Sequence, residues 1–205
     1  MLELIVSAFT TLFVVVDPVG TAALFAAMTQ GGSYAYKRRM ALRSTIFAAL
    51  ILVLFALVGG WLLTTLGIGL PAFRVAGGVL LFFMSIDMVF ARPSGLRSTT
   101  VAENQEAEHK EDISVFPLAI PLLAGPGAIT TVLLLTSDAD GATLAIVLGV
   151  MLGVMAATLL AFLLATRILR VIGVTGANVI GRVLGVLLAA LAVQFVLDGL
   201  KTSLF

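Results

Sequence analysis

Cysteine is absent from this chain and histidine occurs once, as His109. The first absence excludes disulfides, thiolate metal sites and cysteine nucleophiles; the second argues against a histidine-built zinc or haem centre. Charge is scarce as well. Only 11% of residues are charged while 60% are hydrophobic, and mean hydropathy is +1.18. That composition excludes an ordinary soluble domain and implies a polytopic helical membrane protein. A net charge of +1 points to no particular partner beyond the lipid bilayer, and nucleic acid is not expected. No phosphate-loop, dinucleotide, H-E-x-x-H or G-x-S-x-G spacing occurs, so the chain is not read as an enzyme and no cofactor is expected. The opening MLELIVSAF lacks the basic start of a signal peptide, and its apolar run is too long for one; it is expected to be kept as a span.

Apolar runs are plentiful. Six spans can be drawn, at about 4–28, 44–66, 71–91, 113–136, 142–166 and 179–199, each near the ~20 residues a spanning helix needs. No segment alternates polar and apolar residues in the manner of an outer-membrane barrel strand.

Within the first span one charged residue interrupts the run Leu4–Met28: Asp17, followed at once by Pro18. A charge and a missing backbone donor are both expensive at the centre of a spanning helix. As a helix terminus the pair is favourable, with Asp17 as N-cap and Pro18 as first helical residue. The span is therefore expected to be two half-helices. Asp17 would cap the amides of Val19 and Gly20, with Thr21 just inside the second half.

The fourth span repeats the device. Gly125-Pro126-Gly127 interrupts the charge-free stretch Ile113–Ser137, and Pro126 follows Pro18 by 108 residues. Arg74-Val75-Ala76-Gly77 and Arg182-Val183-Leu184-Gly185 share that same offset of 108, which argues for an internal duplication. Here the cap position is glycine. The amides of Gly127, Ala128 and Ile129 then lack a side-chain acceptor, and such a helix end attracts an anion. Thr130 and Thr131 follow within the helix. Threonines often bond their own helix backbone instead, and a proline kink packed on a neighbour is the plainer account of the break itself.

Nine lysines and arginines fall in the first, third and fifth connections, against Lys201 alone on the other side. Arg74 and Arg182, at helix starts, are taken as interfacial anchors. The positive-inside rule puts those three connections in the cytoplasm and both termini outside. Three spans per repeat is odd, so the halves enter the membrane in opposite directions, the plan of many secondary transporters. The expected fold is thus an all-α membrane protein: six transmembrane helices as two inverted three-helix repeats, residues 1–91 and 113–205, with helices 1 and 4 broken. A polar cytoplasmic linker, 92–112, joins them. Its acidic run from Glu103 to Asp112 is read as a solvated tether, and a metal held by His109 among those acids as the weaker alternative. Gly149-x-x-x-Gly153 and Gly181-x-x-x-Gly185 are small-residue motifs for helix packing, and homo-oligomerisation is left open.

The stretches DPVGTAALF, FPLAIPLLAGPGAITT, FRVAGG and IGVTGANVIGRVLGVLLAALAVQFVLDGL together resemble the MarC family over nearly the whole chain. The family comprises six-span bacterial and archaeal membrane proteins, related to LysE-type amino-acid exporters. Asp17-Pro18 is similar to its Asp/Asn-Pro, and Gly125-Pro126-Gly127 to its G-P-G. Ala23 departs from the second proline that many members carry. The resemblance implies a prokaryotic plasma (inner) membrane location and, from some members, transport of small neutral amino acids.

Together these readings give a secondary transporter of the glycine or alanine class. A small zwitterionic substrate would lie between Asp17, Pro18, Gly20 and Thr21 of one break and Gly125, Pro126, Gly127, Ala128, Ile129 and Thr130 of the other. With no ATP site in the chain, coupling would use H⁺ or Na⁺ or be passive. A passive channel or small-solute efflux pore, and a non-transporting regulatory membrane protein, are the alternatives.

Overall fold

The computed structural model describes residues 1–90 and 112–204, and all regular structure among them is helical. In chain order the helices are α1 (Leu2–Val16), α2 (Pro18–Met28), α3 (Tyr34–Thr65) and α4 (Leu70–Phe90). After a proline-rich segment, Ser114–Leu123, come α5 (Pro126–Thr136), α6 (Gly141–Leu163) and α7 (Ala165–Leu204). Five helical stretches are long and apolar enough to cross a membrane, Leu2–Met28 among them; the count is six if Ser114–Leu123 and α5, bent by 58°, form one span. Within an apolar 18-residue window of each stretch only 17–44% of the residues are buried in the bundle. Side chains such as Phe47, Leu54, Trp61, Phe83 and Leu187 face outward, a perimeter suited to hydrocarbon.

Three boundaries differ from the sequence reading, each for a local reason. The expected first connection, 29–43, is mostly helix, because Ser33 caps α3 by accepting the Tyr36 amide at 3.2 Å. Lys37, Arg38, Arg39 and Arg43 follow on good helix formers. The expected fifth connection is likewise helical. α7 runs from Ala165 and leaves helical geometry only at Gly173, φ 72° and ψ 168°, a conformation that favours glycine. The first half of the fourth span is no regular helix. Phe116 (φ −125°, ψ 125°) and Ile120 (φ −123°, ψ 127°) are extended, because each precedes a proline and proline pushes its predecessor out of the α region. Wide bonds carry the chain past them, Leu118 N–H to Ile113 C=O at 3.2 Å and Ala124 N–H to Ala119 C=O at 2.8 Å.

α4 and α7 lie against one another along their lengths. A Cβ on Gly78 would stand 2.7 Å from the Ala192 carbonyl, one on Gly185 2.8 Å from Met88, and one on Gly199 2.8 Å from the Pro71 carbonyl. Small residues thus set this approach, and of the four expected motif glycines only Gly185 takes part. Nothing among the described residues lies within 4 Å of a Cβ on Gly149, Gly153 or Gly181. Elsewhere α3 packs on Ser114–Leu123 and α5, while α6 packs on α1 and α2; α4 also meets α5, and α7 meets α2. The linker from 92 to 111, with His109 and the acids around it, lies outside the described residues.

Candidate functional site

Asp17 leaves helical geometry for a single residue. At φ 46° and ψ 73° it is the only non-glycine residue with positive φ among those described, a conformation that aspartate tolerates better than most side chains. Its N–H donates to the Phe13 carbonyl at 2.9 Å, closing α1. Its carboxylate accepts the Gly20 N–H at 3.0 Å, opening α2. Pro18 has no N–H to satisfy, so the cap costs nothing there. Gly20 is required by this geometry, since any Cβ on it would collide with the Asp17 carboxylate. Thr21 is committed to the backbone: its hydroxyl donates to the Asp17 carbonyl at 2.8 Å, beside its own N–H at 2.9 Å. Asp17 is only 1% exposed, at the middle of an apolar span.

The second break is built without a cap. Gly125 (φ −78°, ψ 173°) precedes Pro126 and, as the cap residue, has no side chain to accept from the first turn of α5. The Ile129 amide is not available as the sequence suggested. It donates to the Gly125 carbonyl at 3.0 Å, the first bond of an ordinary helix, at the same 108-residue offset as Thr21 to Asp17. The amides of Gly127 and Ala128 precede that bond and have no helical partner. Helix α4 supplies the wall, which sequence reasoning missed. A Cβ on Gly127 would stand 2.5 Å from Met84 Sδ and 2.8 Å from Leu81 Cδ2. The Thr130 methyl is packed so closely on Gly77 that a Cβ there would collide with it. Gly77 had been visible only as a repeat marker, because its use is a tertiary contact.

Both breaks border one buried apolar cluster, with Val14, Val15, Val16 and Ala22 from the first and Leu123, Ala124 and Ala128 from the second. Arg182 is exposed and Arg74 half-buried. Gln194 donates to Asp198 on the outer surface of α7 at 2.8 Å.

One end of the bundle brings together the first and fifth connections. A cavity of about 40 Å³ there is lined by Thr29, Lys37 and Arg38 from one half and Phe162 and Thr166 from the other. Phe25 and Phe162 stack beneath it, centroids 4.4 Å apart. Arg43 pairs with Asp112 at the same end of α3. The Ser114 hydroxyl and amide both donate to Asp112, which, with Arg43, holds its carboxyl below the usual range.

An all-helical bundle with an apolar perimeter and a buried aspartate at mid-span defines a polytopic integral membrane protein. The more specific assignment comes from its relatives. A family model described as MarC family integral membrane protein matches residues 2–204, and the chain belongs to that family. It is 37% identical over 200 residues to a UPF0056 membrane protein of Archaeoglobus fulgidus, covering 97% of this chain and 92% of the relative. It is 36% identical over 203 residues to the UPF0056 membrane protein YvbG of Bacillus subtilis, covering 98% and 96%. A UPF0056 membrane protein of Aquifex aeolicus is 37% identical over 202 residues, covering 98% and 94%. No solved structure matches.

Proposed function

We propose that the protein is a secondary transporter of small neutral amino acids, holding its substrate between the two breaks. The observation that carries this reading is the contrast between them. Asp17 is a carboxylate buried at membrane depth, where an ionisable group is expensive and commonly functional. The first turn of α5 offers amides that no side chain caps, and a helix N-terminus carries about half a positive charge. A zwitterion complements both, its ammonium toward Asp17 and its carboxylate toward Gly127 and Ala128. The space over Gly20, Gly77 and Gly127 is filled by Asp17, Thr130 and Met84, so any substrate side chain held here would have to be small.

The packing supports an inverted repeat behind this arrangement. Exchange α1 and α2 with Ser114–Leu123 and α5, α3 with α6, and α4 with α7. The pairs α3 with Ser114–Leu123, α3 with α5 and α4 with α5 then become α6 with α1, α6 with α2 and α7 with α2, all of which exist. On this reading the basic end faces the cytoplasm of a prokaryotic cell and both termini face outside. H⁺ or Na⁺ would supply the coupling.

Calorimetry of the purified protein with glycine and alanine, followed by counterflow in liposomes, tests the reading. Saturable binding and counterflow are expected. Absence of binding to a folded sample overturns it, and flux without counterflow assigns a passive pore instead.

A further inference from the structure

Where the first and fifth connections meet, a cavity of about 40 Å³ lies between the two halves of the chain. One water needs ~10–15 Å³, so the space suits a small polar group and not a whole solute. Lys37 and Arg38 of α3 stand on one side and Thr166 of α7 on the other, and among the described residues no acid lines it. Lys37 is half-buried, Arg38 is exposed, and neither makes a salt bridge among the described residues. Around the cavity α2 and α6 end while α3 and α7 begin. Helix-end charges of opposite sign therefore offset one another, and the two side chains set the sign. The cavity is positive and suits an anion.

Its floor and one flank are apolar. Phe25 and Phe162 stack beneath it, and Ala26 and Leu163 line its sides. Leu163 is exposed, as are Leu160 and Leu164. Residues three and four apart share a helix face, so an apolar track leads from the cavity along the outside of the bundle. The depth agrees. The apolar stretches Leu2–Met28, Tyr34–Thr65 and Gly141–Leu163 all start or stop here, which is headgroup level for a bundle that spans a bilayer.

We propose that this cavity binds the phosphate of an anionic phospholipid, with Lys37 and Arg38 on its oxygens and an acyl chain along Leu160 and Leu163. A guanidinium takes two phosphate oxygens at once and lysine adds a point charge. Basic pockets between spanning helices hold such headgroups elsewhere. A soluble phosphate shares the headgroup chemistry but makes no use of the apolar track. Because the cavity walls come from both halves, the lipid would clasp the halves together. The proposal does not depend on the transporter reading.

The test is melting of the full-length protein in neutral detergent with added phosphatidylglycerol, phosphatidylcholine or inorganic phosphate. It is repeated on Lys37→Gln, Arg38→Gln and Arg39→Gln. Arg39 is exposed and carries the same charge one residue further on, but it does not line the cavity. Phosphatidylglycerol should raise wild-type melting by several degrees, and phosphatidylcholine should not. Lys37→Gln and Arg38→Gln should each need roughly tenfold more phosphatidylglycerol for the same shift, while Arg39→Gln behaves as wild type. Ala26→Leu fills the cavity and leaves the charges, so it should lose the shift too, and it decides the matter if a charge variant does not fold. Equal loss in Arg38→Gln and Arg39→Gln assigns ordinary surface attraction and overturns the proposal. A shift that inorganic phosphate reproduces in full assigns a soluble anion and overturns it, as does no shift with phosphatidylglycerol.

Discussion

Replacing Asp17 separates its work as a cap from its work as a charge. Asp17→Asn keeps the acceptor for the Gly20 amide, and asparagine caps about as well as aspartate and tolerates positive φ. Melting should therefore stay near wild type. Asp17→Ala loses the cap, about 0.5–2 kcal/mol, and leaves a methyl side chain at φ 46°, about 1–2 kcal/mol more. Its total of about 1.5–4 kcal/mol corresponds to a melting decrease of several degrees. Asp17→Gly loses the side-chain acceptor but accepts the dihedral, and should fall between them. For a ligand ammonium the order is different. A charge-assisted hydrogen bond is about twice as strong as a neutral one, so Asn, Gly and Ala should all weaken glycine binding, by roughly 5–30-fold for Asn. Melting and glycine calorimetry on the four proteins give two rankings that a pure cap cannot separate. An Asp17→Asn protein that binds and transports like wild type, with the same pH profile, would refute the argument for charge.

Gly20→Ala forces a methyl onto the Asp17 carboxylate; it should cost about 1–2 kcal/mol of thermal stability through the lost cap and weaken glycine binding with it. Gly77→Ala should destabilise more than Gly127→Ala, about 1–3 kcal/mol, because Gly77 faces the stiff Thr130 methyl while Gly127 faces flexible Met84; thermal unfolding of the pair decides it. Asp112 has a lowered folded pKa, so its contribution is present above the unfolded value near ~3.9 and is lost as pH falls through the lower folded one. Melting between pH 7 and 5 should not respond to Asp112→Asn in slope, the acid limb should flatten, and the constant offset should stay within ~1 kcal/mol, since both partners are about half exposed. Because the chain has no cysteine, single Ser33→Cys and Ser203→Cys variants can be labelled cleanly; an impermeant thiol reagent on intact cells should reach position 203 and spare position 33, and the reverse would invert the topology.

What could be read from sequence was what local chemistry decides. Asp17 followed by Pro18 specifies a cap and a first helical residue whatever surrounds it, and the structure uses both side chains that way. The hydrocarbon-facing perimeter follows from composition alone. Reading failed where hydropathy hid stereochemistry. The window 113–136 is uniformly apolar, so it resembled a helix, although Phe116 and Ile120 each precede a proline. It failed again at Lys37–Arg43, where charge ends a span without ending the helix. The Ile129 amide was miscounted because a glycine cap still leaves its own carbonyl for the first helical bond. Met84 and Leu81 could not have been found at all, since only packing brings α4 to Gly127.

The length of α3 has a mechanical consequence. Its 32 residues span about 48 Å at ~1.5 Å each, against a hydrocarbon core of about 30 Å. An untilted α3 would leave some twelve residues' worth of helix outside the core, and its first ten residues carry Lys37, Arg38, Arg39 and Arg43. With α3 spanning the bilayer, these side chains would form a collar at headgroup level, each attracted to an anionic leaflet by about 1 kcal/mol. The collar fixes the depth of one end of the bundle, while the other end, where the α3–α4 turn carries no charge, has no such anchor. A thicker or thinner bilayer would therefore change the tilt of α3 about its basic end. Because α3 packs on α5, membrane thickness becomes a lever on the helix that begins at the uncapped break.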